Sequence, residues 1–236
     1  MSDRFFSSTP ITTERVTLDG PEAHHLLHVM RAAAGEPLTL FDDSGAEFAA
    51  VVETIRRSEL IVCIIERRDV NRELPFSLTV GVALPKGDRQ KWLIEKLTEL
   101  GVTTLVPLIT ERGVAQPTAG AAERLTRAVI EAAKQCGRNR LMQIAKPQAW
   151  GDWIAQVGDL SSATRRFVSH PGGMPLTETD LYPPQPTSLA IGPEGGLTDA
   201  EVAAARSAGW QQVSLGPRIL RVETAAIALA AAVALC

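Results

Sequence analysis

Cysteine is scarce in this chain and scattered where it occurs: Cys63, Cys136 and Cys236 are the three in 236 residues. An odd number so far apart makes no disulfide framework, and no two stand at zinc-ligand spacing. A reducing compartment and no metal are therefore expected. A long apolar run is also missing. The longest, Ala225 to Cys236, falls short of the roughly 20 residues that span a bilayer. Met1 to Pro10 holds no apolar core of signal-peptide length, so the reading expects a cytoplasmic protein with no membrane partner. Positive charge is not in surplus either. The net charge is −3 and the pI about 5.9, so any contact with nucleic acid must come from local basic clusters. Such clusters occur at Arg56-Arg57, Arg67-Arg68, Lys86 to Lys91, Lys134 to Arg140 and Arg165-Arg166, although any one pair reads better as a solvated face. Finally, there is neither a G-x-G-x-x-G nor a G-x-x-x-x-G-K-[ST] segment, so no loop is suited to a polyphosphate.

What is present supports a core: 45 % hydrophobic and 22 % charged residues is an ordinary globular balance. Two parts are expected, residues 1–72 and 73–236. The first reads as mostly β, with strands at Arg15–Leu18, Pro37–Phe41, Ala46–Ile55 and Leu60–Glu66. A hairpin turn falls at Asp42 to Gly45, and one short helix runs from Glu22 to Arg31 behind Pro21. Several short strands and one helix suggest a small barrel. The polar stretch Asp69 to Pro75 reads as a linker. The second part alternates strand and helix. Strands fall at 78–84, 104–108, 166–169, 188–191 and 212–215, with helices at 88–100, 121–136, from Thr198, and from Val222 to Cys236. Alternation of this kind predicts a parallel sheet covered by helices. Trp92, Leu93, Lys96, Leu97 and Leu100 are assigned to one face of helix 88–100, with Trp92 in the core; Trp150, Trp153 and Trp210 are also expected to pack.

Two segments suggest chemistry. Ile191-Gly-Pro-Glu-Gly-Gly196 follows a strand and precedes a helix opened by the capping box Thr198-Asp-Ala-Glu201. Leu215-Gly-Pro-Arg-Ile-Leu-Arg-Val-Glu-Thr-Ala225 also stands between a strand and a helix. Ligands of open α/β sheets bind beyond the carboxyl ends of strands, where both loops would lie. Glycines allow close backbone approach, exposed peptide groups can read an adenine edge, and Leu215, Ile219 and Leu220 offer apolar walls for a flat base. The pattern fits an adenosyl ligand without a polyphosphate. Either loop alone is more often a turn than a site. His24 and His28, four apart, have a spacing that can hold a metal, but no H-E-x-x-H pattern or further ligand accompanies them; they read as a surface pair.

Taken together and in order, these segments resemble the RsmE family of 16S ribosomal RNA uridine-N3 methyltransferases, in the SPOUT superfamily. His25 to Arg31 is similar to the family's N-terminal helix. Lys96 to Val102, with Pro107 and Glu111-Arg112, is similar to its first βα unit, and Lys134 to Arg138 to its central motif, where the family usually has an acid in place of Lys134. The two glycine-bearing loops match the family's cofactor loops. The resemblance implies an α/β fold, a PUA-like RNA-binding barrel followed by a SPOUT domain with a parallel sheet and a C-terminal trefoil knot. It implies S-adenosyl-L-methionine as cofactor, a homodimer, and as substrate one uridine of 16S rRNA in the small (30S) subunit. For the cofactor it points to His170, Ile191, Gly192, Glu194, Gly195, Gly196, Leu215, Gly216, Ile219, Leu220, Arg221 and Thr224. Arg138, Arg221 and Glu223 are the candidate catalytic residues, and Arg31, Lys86, Arg89, Lys96, Arg112, Arg138 and Arg140 the candidate RNA contacts. Other readings are a tRNA or 23S rRNA ribose methyltransferase of the same superfamily, or a non-catalytic RNA-binding ribosome-assembly protein.

Overall fold

The first strands are set by alternation: Val16 and Leu18 are buried on β2 (Arg15–Leu18) while their neighbours face solvent. A computed structural model, describing residues 4–113, 119–158 and 164–235, places this strand after β1 (Arg4–Phe6). Then come α1 (Gly20–His24), β3 (Pro37–Phe41), β4 (Ala46–Ile55) and β5 (Leu60–Asp69). Pro21 opens α1, where a missing N–H costs nothing. The chain then widens into a π-helical stretch, His25–Met30, closed by Arg31 at φ 57°. The helix expected over 22–31 is thus two kinds of helix in sequence. β1 was not anticipated, being three residues long between Asp3 and Ser7.

These five strands form one sheet in the order β1-β3-β4-β5-β2, antiparallel except for the β1–β3 pair. Asp43 and Gly45 take positive φ in the β3–β4 turn, as that hairpin requires. Phe5, Leu26, Leu40, Phe48, Leu60 and Val62 fill the core. By contacts this unit comprises Met1–Glu73 and Ala133–Leu141; the other comprises Leu74–Ala132 and Met142–Cys236. Within the first, Glu47 accepts hydrogen bonds from Arg4 (2.9 Å) and Arg72 (3.0 Å).

The second unit begins with β6 (Leu78–Val82), α2 (Arg89–Glu99), β7 (Thr104–Ile109) and α3 (Ala119–Cys136). It continues through β8 (Gln143–Ile144), β9 (Gln148–Ala149), α4 (Trp150–Gly158), β10 (Arg165–Pro175), β11 (Thr187–Ile191), α5 (Asp199–Ser207), β12 (Gln211–Ser214) and α6 (Val222–Ala234). The pairing is parallel throughout, in the order β12-β10-β11-β6-β7-β8, with β9 also beside β7. The buried face of α2 is Leu93, Ile94, Leu97 and Thr98. Trp92 is 45 % exposed, which corrects its assignment to the core. Helix α4 was missed, although Trp150, Trp153, Ile154 and Val157 recur at helical spacing and are buried. Trp153 lies so close to the backbone of β6 that a Cβ on Gly81 would fall 2.4 Å from its ring. Trp210 packs on it at 5.1 Å between ring centroids. Cys236, the expected end of the last helix, lies outside the described residues. Among the described residues no helix is long and apolar enough to cross a membrane.

Candidate active site: a cleft at three strand ends

Strands β12, β10 and β11 are neighbours, and Ser169 of β10 is in register with both Ile191 and Val213. Their carboxyl ends therefore lie side by side, and the segments that follow them converge. Here the cleft has a volume of about 340 Å³, within the range of small-molecule sites. Of the residues read from sequence as cofactor-binding, His170, Ile191, Gly192, Glu194, Gly196, Leu215, Gly216, Ile219 and Leu220 line it. Gly195, Arg221 and Thr224 do not, though all three are exposed on the same segments. Ser169, Pro171, Leu197, Ser214, Arg218 and Ala225 also line it and were not singled out. Their signal was positional: each stands within a few residues of a recognised strand end or glycine loop.

The backbone of the cleft is that of glycine. Gly196 has φ 73° and Gly216 φ 102°, a region that costs other residues about 1–2 kcal/mol. A Cβ on Gly192 would stand 2.7 Å from Leu197 Cγ. Beneath, β10 leaves its register between Ser169 and Met174, and His170 to Gly173 bulge at the cleft wall.

The 192–201 segment is tied down from two sides. Arg89, in the first turn of α2, hydrogen-bonds Glu194, and that carboxylate pushes the Arg89 pKa up. Arg112 donates to the carbonyl of Gly195 at 3.1 Å. Glu201 closes the capping box with Thr198 and also accepts from the Glu111 N–H at 2.9 Å. Glu223, in the first turn of α6, is buried, with its Oε2 3.6 Å from Arg89 and, among the described residues, without a hydrogen-bond partner.

The RNA methyltransferase domain model matches residues 72–234, and the RNA methyltransferase PUA domain model matches residues 18–65. The ribosomal RNA small subunit methyltransferase E of Synechocystis sp. is 36 % identical over 89 % of this chain and 69 % of its own length. This chain belongs to the ribosomal RNA small subunit methyltransferase E family. Several solved structures align with nearly all of it, two of them with the cofactor bound. One is a Legionella pneumophila protein described as a methyltransferase, in complex with its bound cofactor SAM. Its TM-score is 0.91 at 30 % identity, covering 99 % of this chain and 97 % of that one. The other is the small subunit methyltransferase E of Neisseria gonorrhoeae bound to S-adenosyl methionine. Its TM-score is 0.87 at 29 % identity, covering 98 % and 96 %.

The family's PUA and methyltransferase parts frame the remaining candidates. In the unit that holds the PUA match, Arg138 is buried and donates to Glu73 through Nε (3.0 Å) and Nη2 (2.5 Å). Arg140 and Arg31 are exposed. In the other unit Lys86 is exposed, and Lys96 pairs with Glu99 at 2.7 Å along α2. Arg89 and Arg112, read as RNA contacts, make the bonds to the cleft segment just described. The rings of His24, on α1, and His28, in the π-helical stretch after it, meet at 4.7 Å between centroids with their planes tilted by 50°. No group of three or more His, Cys, Asp or Glu residues with metal-site geometry occurs among the described residues.

Proposed function

We propose that this chain transfers a methyl group from S-adenosyl-L-methionine to N3 of one uridine of 16S rRNA in the small ribosomal subunit, working as a cytoplasmic homodimer. The convergence of the 192–197 and 214–220 segments on one cleft carries the reading. The cleft suits an adenosyl group. Its floor is open glycine backbone at Gly192, Gly196 and Gly216, where side chains would crowd or strain, and its walls are Leu197, Leu215, Leu220, Val222 and Ala225. Neither loop has a cradle for a polyphosphate. Peptide groups of Ile191 to Gly196 and of Leu215 to Leu220 would hold the nucleoside, with His170 at the side. Residues 1–72 would serve as the RNA-binding part and 73–236 as the methyltransferase part, with the return from β12 through 215–221 into α6 completing a trefoil knot.

Bound in this cleft, the cofactor supplies an electrophilic methyl on sulfonium. The protein's part is to bring N3 into line with it and to help N3 lose its proton. A cation beside the base favours the uridine anion, and Arg138 is the proposed group, with Arg221 the second choice and Glu223 the proposed carboxylate. Because the Arg138 guanidinium already bonds Glu73, this role requires it to share its donors between Glu73 and the base. The test is labelled methyl transfer into small subunits lacking the modification, followed by mass-spectrometric mapping of the methylated nucleotide. Label at N3 of a single 16S uridine is expected; label on a ribose, on another RNA, or nowhere overturns the proposal. An Arg138→Ala protein that binds subunits normally and methylates at full rate removes Arg138 from the mechanism.

A further inference from the structure

Ile219 is 95 % exposed, more than any other large apolar side chain among the described residues. It stands on the segment that walls the cleft, between Arg218 and Arg221, both exposed. Among the described residues neither guanidinium has a hydrogen-bond or ion-pair partner. The contrast with Arg89 and Arg112 is direct, since those two bond to the neighbouring cleft segment. Arg218 is also the one arginine or lysine in the cleft lining. The 217–221 segment is thus two-faced. Pro217 to Leu220 border the cleft, and the exposed side chains of the segment present two free cations around a bare apolar tip.

We infer that this tip is the RNA-engaging edge of the cleft. Arg218 and Arg221 take phosphates on either side of the target nucleotide, which leaves Arg138 as the cation beside N3, and Ile219 packs on the face of a base that has left its stack. The inference rests on the proposed action on rRNA and adds the residues that present the RNA. An enzyme that works on N3 must draw the base out of its neighbours, because N3 lies on the pairing edge. Unstacked nucleotides offer what the tip complements: an anionic backbone for planar guanidinium donors and a flat apolar face for a branched aliphatic side chain. With a net charge of −3 on the whole chain, paired cations at the cleft mouth concentrate the attraction where the reaction takes place.

The experiment compares the full-length wild type with R218A/R221A and I219S. Small subunits lacking the modification are methylated with labelled S-adenosylmethionine at several salt concentrations. Cofactor affinity is read by calorimetry and oligomeric state by sedimentation. The double variant should raise KM for subunits about tenfold or more and flatten the salt dependence of log KM by about 1.5. Its cofactor affinity should stay within about twofold of wild type. I219S should lower kcat more than it raises KM, with cofactor affinity again preserved. Three results overturn the inference: unchanged KM and salt slope in the double variant; a loss of cofactor affinity that matches the loss in KM, which would give the arginines to the cofactor; or an altered oligomeric state, which would make the tip a subunit interface. If the wild type itself leaves the subunits unlabelled, the rRNA reading fails and the role of the tip with it.

Discussion

Replacing Gly196 with valine tests the cleft with little disturbance of the fold. Gly196 sits at φ 73°, and nothing lies within 4 Å of the position a Cβ would take. A side chain there meets no neighbour in the free protein, so the cost is backbone strain alone. For an L-residue in this region that cost is about 1–2 kcal/mol, and a β-branched residue belongs at the upper end. Because the segment is exposed, the free loop can relax into another conformation and avoid the strain. The penalty then returns when the cofactor demands the glycine geometry. At 1.4 kcal/mol per tenfold, Gly196→Val should weaken S-adenosylmethionine binding about 5- to 30-fold before any overlap with the ligand is counted. Thermal unfolding of the free protein should shift by less than about 2 °C. Gly195→Ala is the control: its Cβ would stand 3.3 Å from Arg112 Cβ, a contact that a backbone shift of a few tenths of an ångström in this exposed loop relieves, and affinity should fall no more than about threefold. Calorimetric titration and a melting curve on the same samples decide the matter. Wild-type affinity in Gly196→Val would refute the reasoning, and so would a loss of affinity accompanied by an equal loss of stability.

Gly173→Ala should behave in the opposite way. Its Cβ would lie 2.6 Å from the β12 backbone at Gln212 and Val213, so β12 must move; stability should fall by about 2–4 kcal/mol and cofactor binding with it, as denaturant titration would show. Glu201→Ala removes the capping box and the bond to the Glu111 N–H; a loss of about 1–2 kcal/mol and a several-fold weaker cofactor complex are expected, and normal cofactor affinity would show that this tie does not shape the cleft. Glu47→Gln probes pH dependence. Burial alone would push this carboxyl up, but hydrogen bonds from Arg4 and Arg72, and their charge, hold it below the ordinary range. A depressed carboxylate contributes stability that is complete above its unfolded value, near pH ~4.3, and is lost as pH falls through the folded value. The variant should therefore be about 2 kcal/mol less stable at pH 7, with the gap to wild type closing below about pH 4; a gap of constant size would refute the assignment.

How much of this was legible depends on the kind of signal. Elements with strong periodicity or clear punctuation were readable. Pro21 marked α1, Thr198 to Glu201 marked α5, and Asp42 to Gly45 marked a hairpin whose positive φ angles fall at Asp43 and Gly45. The strand ends flanking the two glycine loops were placed to within a residue or two. That placement was enough to bring the loops to one sheet edge once parallel pairing was assumed. Short elements were not readable. β1 is three residues long and exists because Phe5 is buried and pairs with Leu40, a tertiary cause with no local signature. The bulge of β10 after Ser169 is equally silent, since it reflects the close approach of Gly173 to β12. Trp92 shows the limit of helical spacing: it differs from Leu93 by 100° around α2, and a rotation of that size turned an expected core residue outward.

Charge was the least legible signal, and the reason lies in what each guanidinium faces. Arg89, Arg112, Arg138 and Arg218 look alike in sequence, each near a glycine or an acid. Yet Arg89 and Arg112 spend donors on Glu194 and on the Gly195 carbonyl, and Arg138 is buried against Glu73. A donor already satisfied inside the fold gains little from a phosphate, because the existing bond must first be given up. An exposed guanidinium without a partner keeps its full interaction for the ligand. On that ground Arg218 and Arg221, exposed on the segment beside the cleft, are the cations we infer to meet RNA phosphates. Arg89 and Arg112 bond to the loop that lines the cleft, so their loss should appear first in cofactor affinity and only through it in turnover.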